Sequence, residues 1–186
     1  NNVFSLRFKW PEGVAAAAYR RSGFLWLVFD HLEVLDLAGI PEHSAERIFG
    51  IEQIPDARAT ILRLTTAYGL NPTLRREGLI WFFDFEPHSL SATVPISIRA
   101  QVDTPTDSSL FLPVPDSGQK LIVRDAVVGD SLILVPVPSL GEGINGTREY
   151  AQFRLLGTAQ GVVIEPYSDT LETRVDKDGI EISSSV

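Results

Sequence analysis

The chain has 186 residues, of which 44% are hydrophobic and 22% charged, a composition typical of a globular protein with a buried core. Its net charge of −8 argues against a nucleic acid partner, because phosphate binding relies on clustered lysine and arginine. The sequence has no cysteine for a disulfide or a thiolate metal site, and no apolar run approaches the roughly 18 residues of a membrane-spanning helix.

The first sixty residues predict three strands and one helix. Strands are expected at residues 3–9, 14–19 and 24–29. The third of these, FLWLVF, is bulky at every position, which predicts a central strand covered on both faces. The helix is expected near residues 41–50. The apolar stripe of this helix is formed by Ser44, Ala45, Ile48 and Phe49, and Gly50 ends the helix.

Residues 16–30 and 71–85 carry similar sequences, AAAYRRSGFLWLVFD and NPTLRREGLIWFFDF. The matching positions, offset by 55 or 56 residues, are Arg20-Arg21 with Arg75-Arg76, Gly23 with Gly78, Trp26 with Trp81, and, upstream, Leu6-Arg7-Phe8 with Leu62-Arg63-Leu64. Each copy predicts a strand followed by a β-hairpin.

After residue 86 the pattern predicts short strands separated by turn signals. These strands are expected at residues 94–102, 110–114, 120–124, 131–137, 150–156, 162–165, 171–175 and 180–183, with polar loops at 103–109 and 138–149. The predicted fold is mainly β, built of antiparallel strand-plus-hairpin repeat units in a sandwich or barrel-like arrangement, with one short helix. Residues 1–102 would form a pair of β units and residues 103–186 a second β-rich unit, either separate or packed with the first as one domain.

Two interpretations compete for the repeated arginine pairs. Arg20-Arg21 and Arg75-Arg76 would either bind a carboxylate, a phosphate or an acidic partner surface, or only keep hairpin tips soluble. Trp10 stands beside a proline and a turn, so we expect it to be exposed. Trp26 and Trp81 lie within apolar runs and are expected in a core. The candidate partner-binding residues are therefore Arg20, Arg21, Arg75, Arg76 and Trp10.

The sequence contains no motif that predicts catalysis or cofactor binding. Asp84 and Glu86 alternate on one face of a predicted strand, about 6.6 Å apart, a spacing that glycoside hydrolases use but that any D-x-E strand produces. His31 and His88 close corresponding strands, and no third metal ligand can be placed beside them. We expect no enzyme activity, no cofactor and no metal site.

Several stretches resemble a known group of proteins. LRFKWPEGVAAAAYRRSGFLWLVFD, RDAVVGDSLILVPV and FRLLGTAQGVVIEP are similar to the N-terminal regions of alphaproteobacterial envelope proteins that carry tetratricopeptide repeats. The first unit also distantly resembles AMIN-type β-modules, which target proteins to peptidoglycan or to secretion assemblies. The resemblance implies a periplasmic location, a signal peptide removed before residue 1 and helical repeats after residue 186. The absence of methionine fits such a processed chain.

These observations favour a non-catalytic binding or scaffold module of a bacterial cell-envelope assembly that engages a protein partner. The hairpin tips would contact an acidic surface of that partner. The alternatives are a glycan- or peptidoglycan-binding module and a glycoside hydrolase using Asp84 and Glu86.

Overall fold

The structure is a computed structural model that describes residues 3–44, 46–104 and 107–184. The predicted mainly β class is confirmed, with nineteen strands and one short helix in the described ranges. The first nine strands are β1 (Phe4–Lys9), β2 (Ala16–Arg21), β3 (Phe24–Phe29), β4 (Ile48–Ile54), β5 (Thr60–Thr66), β6 (Leu70–Glu77), β7 (Ile80–Pro87), β8 (Val94–Pro95) and β9 (Arg99–Thr104). The others are β10 (Asp107–Leu112), β11 (Leu121–Asp125), β12 (Asp130–Val135), β13 (Glu142–Gly143), β14 (Arg148–Glu149), β15 (Phe153–Leu155), β16 (Thr158–Gln160), β17 (Val162–Pro166), β18 (Leu171–Val175) and β19 (Ile180–Ser184), and the helix is α1 (Ile40–His43).

Four sheets contain most of these strands. Sheet I has the order β1-β7-β6, sheet II the order β16-β2-β3-β5-β4, sheet III the order β11-β12-β17-β15-β14 and sheet IV the order β18-β19-β10-β9. Strands β8 and β13 form a separate parallel pair. Sheet II includes β16, which lies in the predicted second unit and pairs with β2 of the first.

Three buried clusters lie between successive sheets. Sheets I and II enclose the first cluster, which includes Leu6, Phe8, Leu27, Leu62, Trp81 and Phe83. Sheets II and III enclose the second, which includes Tyr19, Trp26, Val28, Leu132, Leu134 and Val163. Sheets III and IV enclose the third, which includes Val135, Val162, Ile164, Ile180 and Ile182. The protein is thus a stack of four β layers.

Strand β3 occupies the centre of sheet II, as its apolar sequence predicts. Side chains of successive strand residues point to opposite faces. Leu25, Leu27 and Phe29 accordingly lie in the first cluster, whereas Trp26 and Val28 lie in the second. The prediction of a central strand covered on both faces is confirmed.

Sheets I and II share one pairing pattern. In sheet I, Leu6 of β1 pairs with Phe83 of β7, and in sheet II, Leu62 of β5 pairs with Leu27 of β3. Leu6 and Leu62 are 56 residues apart in sequence, and so are their partners Leu27 and Phe83. Each strand that precedes a hairpin in sequence therefore pairs with the other hairpin in space.

The two hairpins correspond at the same offset, which corrects the predicted match of the arginine pairs. Arg20 pairs with Leu25 in the first hairpin, and Arg76 pairs with Trp81 in the second. Arg20 therefore corresponds to Arg76 and not to Arg75. At this offset Trp81 corresponds to Leu25 and not to Trp26. Adjacent residues of a strand point to opposite faces, so Trp81 belongs to the first cluster although Trp26 belongs to the second.

The helix predicted near residues 41–50 is wrong in its second half. Helix α1 ends at His43, and Glu46 adopts a left-handed conformation, with φ of 62°, that a helix cannot continue through. The Ser44 hydroxyl bonds both the amide and the carbonyl of Ile48 and holds this turn. Ile48 then starts β4, because its β-branched side chain is buried in the first cluster.

The predicted loop at residues 103–109 is also wrong in part. Strand β9 continues to Thr104 and β10 begins at Asp107, and the two pair antiparallel. Residues 105–106 lie outside the described ranges.

Candidate functional site

The cleft beside Arg76 is the candidate functional site. It has a volume of about 580 Å³ and is bordered by residues 12–15, the end of β3, the tip of the β6–β7 hairpin, and the loops that follow β10 and β12. Loops carry function more often than the elements they connect. Here, loops from several parts of the chain converge on one concave surface.

Arg76 presents an exposed guanidinium to this cleft. It donates a hydrogen bond to the carbonyl oxygen of Pro138, and its Cζ lies 4.9 Å from the ring centroid of Trp81. Within the described ranges, no carboxylate lies within ion-pair distance of Arg76. A guanidinium has five N–H donors, so several stay available to a ligand.

Other residues that border the cleft are acidic and polar. Asp30 accepts hydrogen bonds from the backbone amide of Gln119 at 3.2 Å and from its side-chain amide at 2.9 Å. Asp116 is exposed and has a left-handed φ of 54°. The hydroxyl of Ser117 is buried and has no hydrogen-bond partner among the described residues. The cleft thus combines the Arg76 guanidinium, which has no carboxylate partner among the described residues, with carboxylates and a buried hydroxyl.

Gly118 lets the loop after β10 approach β3 closely. A Cβ at this position would lie 2.6 Å from the Asp30 Oδ2 and 3.1 Å from the Ala15 Cβ. Real Cβ atoms essentially never approach other atoms as closely as the first distance. A Cβ here would therefore displace the Asp30 carboxylate, which is the end of a flexible side chain.

Trp10 was predicted to be exposed, and this prediction is wrong. Its side chain is 1% exposed, and its ring centroid lies 4.7 Å from that of Phe29. Its amide donates to the Leu79 carbonyl, which extends the pairing of β1 with β7 by one residue. Trp10 therefore continues the inward positions of β1, Leu6 and Phe8, and packs in the first cluster.

Arg20 is half-buried inside the molecule rather than solvated at a tip. It donates to the Asn71 Oδ1 at 2.5 Å, the Leu70 carbonyl at 2.5 Å and the Thr66 Oγ1 at 2.6 Å. Burial lowers the pKa of Arg20. Its guanidinium thus links sheets I and II.

Arg21 is the centre of an ion-pair cluster between sheets II and III. Its side chain is 8% exposed and binds the carboxylates of Asp130 at 2.5 Å, Asp125 at 3.0 Å and Glu165 at 3.7 Å. Its hydrogen bond with Asp130 raises the pKa of Arg21 and lowers that of Asp130. The adjacent Tyr19 hydroxyl is buried and has no hydrogen-bond partner in the part of the chain that the structure describes, and burial raises its pKa.

Arg75 lies on the outer face of sheet I. It binds the Asp84 carboxylate at 2.5 Å, and its Cζ lies 4.3 Å from the ring centroid of Phe82. The hydrogen bond with Asp84 raises the pKa of this half-exposed arginine. Of the four candidate arginines, Arg76 is the one that borders the cleft.

Asp84 and Glu86 are arranged as in an ordinary strand rather than as a catalytic pair. Asp84 accepts hydrogen bonds from Arg75 and Ser5, and the bond from Arg75 lowers its pKa. Glu86 is exposed, and neither residue borders the Arg76 cleft.

The predicted histidine positions lie apart from one another. His31 contacts Glu12, at 3.1 Å, whereas His88 contacts Thr73, at 3.2 Å. Across the described ranges, no three histidine or acidic side chains are grouped so that they could hold a metal ion. The same ranges contain no helix with the length and apolar character that a membrane crossing needs.

Sequence reasoning missed the part of the cleft that is formed by Asp30 and residues 116–118. The signal in the sequence was a polar turn, PDSG at residues 115–118, which begins three positions after the end of β10. That turn predicts a loop but not its distance from Arg76, which depends on the packing of sheets I, II and III.

No protein-family model, curated protein or solved structure matches this chain. The resemblance to envelope proteins with tetratricopeptide repeats stays a prediction.

Proposed function

We propose that this chain is a non-catalytic binding module of a bacterial cell-envelope assembly, located in the periplasm, and that it engages a protein partner through the Arg76 cleft. The observation that carries the proposal is the state of Arg76. It is an exposed guanidinium in a concave site, held by a backbone carbonyl and an aromatic ring rather than by a carboxylate.

The chemistry of the cleft indicates which partner group would bind there. A partner carboxylate would pair with the open N–H donors of Arg76, since guanidinium and carboxylate form bidentate hydrogen bonds. Glu12 and Asp116 are exposed on the rim and would attract a basic side chain beside that carboxylate. The fitting ligand is therefore a protein segment with an acidic residue next to a basic one.

The three tryptophans do not support the glycan-binding alternative. Sugar-binding surfaces present aromatic faces, whereas Trp10, Trp26 and Trp81 are each 1% exposed. The hydrolase alternative has less support still. A general acid needs a raised pKa, and the pKa of Asp84 is lowered by Arg75.

Site-specific photocrosslinking in cells that produce the native protein tests the proposal. A benzophenone amino acid replaces Leu79, which is 43% exposed at the hairpin tip beside Arg76. The matched control places it at Ile122, which is 55% exposed on β11 and does not border the cleft. We expect a discrete crosslinked protein from position 79 and none of the same mass from position 122.

Two arginine variants then assign that product to the cleft. Arg76→Glu in the Leu79 background should abolish the crosslink, because it repels the partner carboxylate. Arg174→Glu changes the charge equally at a side chain that is 74% exposed, and should leave the crosslink intact. A product that persists with Arg76→Glu would place the interface elsewhere. A product that proves to be a glycan strand would favour the peptidoglycan alternative.

A further inference from the structure

The free edge of sheet I carries an inference that does not depend on the Arg76 cleft. Strand β1 ends the sheet order β1-β7-β6, and its six residues pair with β7 without a register shift. Trp10 donates its amide toward β7. Because amides alternate in direction along an antiparallel strand, those of Ser5, Arg7 and Lys9 point away from β7. No group in the described residues accepts a hydrogen bond from these three amides, which span about 13 Å along the strand.

Sheet II shows how the corresponding edge is completed. Strand β5 corresponds to β1 at an offset of 56 and is covered on its outer side by β4. Glu52 of β4 pairs with Arg63 of β5 in register, and its carboxylate accepts a hydrogen bond from the Arg63 Nε at 2.8 Å. Ile51, next to Glu52, packs against the first cluster.

On sheet I, no described residue takes the place that Glu52 has beside Arg63. Arg7 corresponds to Arg63, is exposed, and forms no hydrogen bond or ion pair within the described ranges. A groove of about 380 Å³ runs beside β1, and its other wall is formed by Asp36, Gly39, Ile40 and His43. Ile40 packs at the margin of the first cluster and so gives the groove an apolar contact.

We infer that the β1 edge accepts an extended segment of a partner protein, which adds to sheet I as an antiparallel strand. This segment would occupy the place that β4 occupies on β5. It carries an acidic residue opposite Arg7, flanked by apolar residues that face the groove, as Ile51 flanks Glu52. Main-chain hydrogen bonds to the β1 edge provide affinity, and the Arg7 position and the groove provide selectivity.

A synthetic peptide with the sequence of residues 48–54, labelled with fluorescein, is the probe. We expect saturable binding to the intact protein in fluorescence anisotropy. Arg7→Glu should weaken binding about two- to fivefold, the range for an exposed ion pair. A peptide with Glu52→Lys should show the reverse preference and bind the Arg7→Glu protein better than the native one. An Arg7 change that affects both peptides equally would overturn the proposed register.

A second variant tests the main-chain hydrogen bonds. Arg7→Pro removes an amide that points away from β7, a change that edge strands tolerate. It should weaken peptide binding more than tenfold, while Arg7→Ala weakens it no more than Arg7→Glu does. Equal affinity of the proline and alanine variants would show that no strand is added. Melting temperatures close to that of the native protein show that both variants are folded.

Single cysteines locate the bound peptide, because the chain has none of its own. In sheet II, Gly50 pairs with Thr65, whose counterpart on β1 is Lys9. A peptide with cysteine in place of Gly50 should form a disulfide with the Lys9→Cys protein. A disulfide with Thr65→Cys instead would mean that the peptide displaces β4, and would overturn the inference. If the peptide does not bind and the protein instead forms a dimer that Arg7→Pro abolishes, a second copy of this chain occupies the edge. That result would also overturn the inference.

Discussion

Replacing Arg21 with methionine should destabilise the protein more than replacing any exposed arginine would. The guanidinium is 8% exposed and neutralises Asp125, whose side chain is 3% exposed, and Asp130. Removing one partner of a buried ion pair costs about 3–5 kcal/mol, because the remaining charge is left uncompensated. Asp130 is 37% exposed and regains hydration, so we expect the lower end, about 3 kcal/mol. In a chain of this size that lowers the melting temperature by about 6–12 °C.

Urea unfolding, followed by the fluorescence of the buried tryptophans, measures this loss. Arg174→Met is the matched control, since that side chain is 74% exposed and lies 3.8 Å from Glu172, and it should cost less than about 1 kcal/mol. Adding Asp125→Asn and Asp130→Asn to Arg21→Met should recover most of the loss, because the uncompensated charges are then gone. A loss below about 1 kcal/mol for Arg21→Met, or no recovery in the triple variant, would refute a structural role for the cluster.

Three further outcomes follow from the packing. Trp10→Ala should cost about 3–5 kcal/mol in the same urea assay, as for a fully buried aromatic, whereas an exposed tryptophan would cost almost nothing. Gly161→Ala should lower the melting temperature measurably, because the added Cβ would lie 2.8 Å from a neighbouring Cβ at a φ of +79°, while Gly13→Ala, with no atom within 4 Å, should not. The pKa of Asp130 is lowered in the folded state, so its stabilisation is present above an unfolded pKa of about 3.9 and is lost as the pH falls through the folded pKa. Acid titration of stability should therefore be steeper for the native protein than for Arg21→Met, and parallel curves would contradict it.

Strand β3 of the first hairpin was predictable because it is defined by a local pattern. Residues 24–29 are bulky at every position, and Ser22-Gly23 supplies two residues with positive φ for the turn. The prediction needed no information from distant parts of the chain, and β3 has the predicted bounds.

The arginine pairs could not be assigned from sequence, because their environments depend on long-range pairing. Comparison of the two sequence copies aligned Arg20 with Arg75, whereas the strand register aligns it with Arg76. The carboxylates around Arg21 come from residues more than 100 positions away. Charge reversal of Arg21 would therefore lower stability, although a solvated hairpin tip would tolerate it.

The failures at residues 10 and 46–50 have a common physical reason. Trp10 follows a strand whose pairing extends one residue past its regular end, and Ile48 is drawn into a sheet edge by burial. Tertiary packing overrides local propensity in both places.

The most direct test of the binding proposal is the affinity of the purified chain for the partner identified by crosslinking at position 79. Isothermal titration calorimetry would compare the native protein with Arg76→Glu and with Arg174→Glu at two salt concentrations. We expect that Arg76→Glu weakens binding at least tenfold and reduces its salt dependence, while Arg174→Glu binds like the native chain. Equal affinities for Arg76→Glu and the native protein would contradict the assignment of the cleft as the binding site.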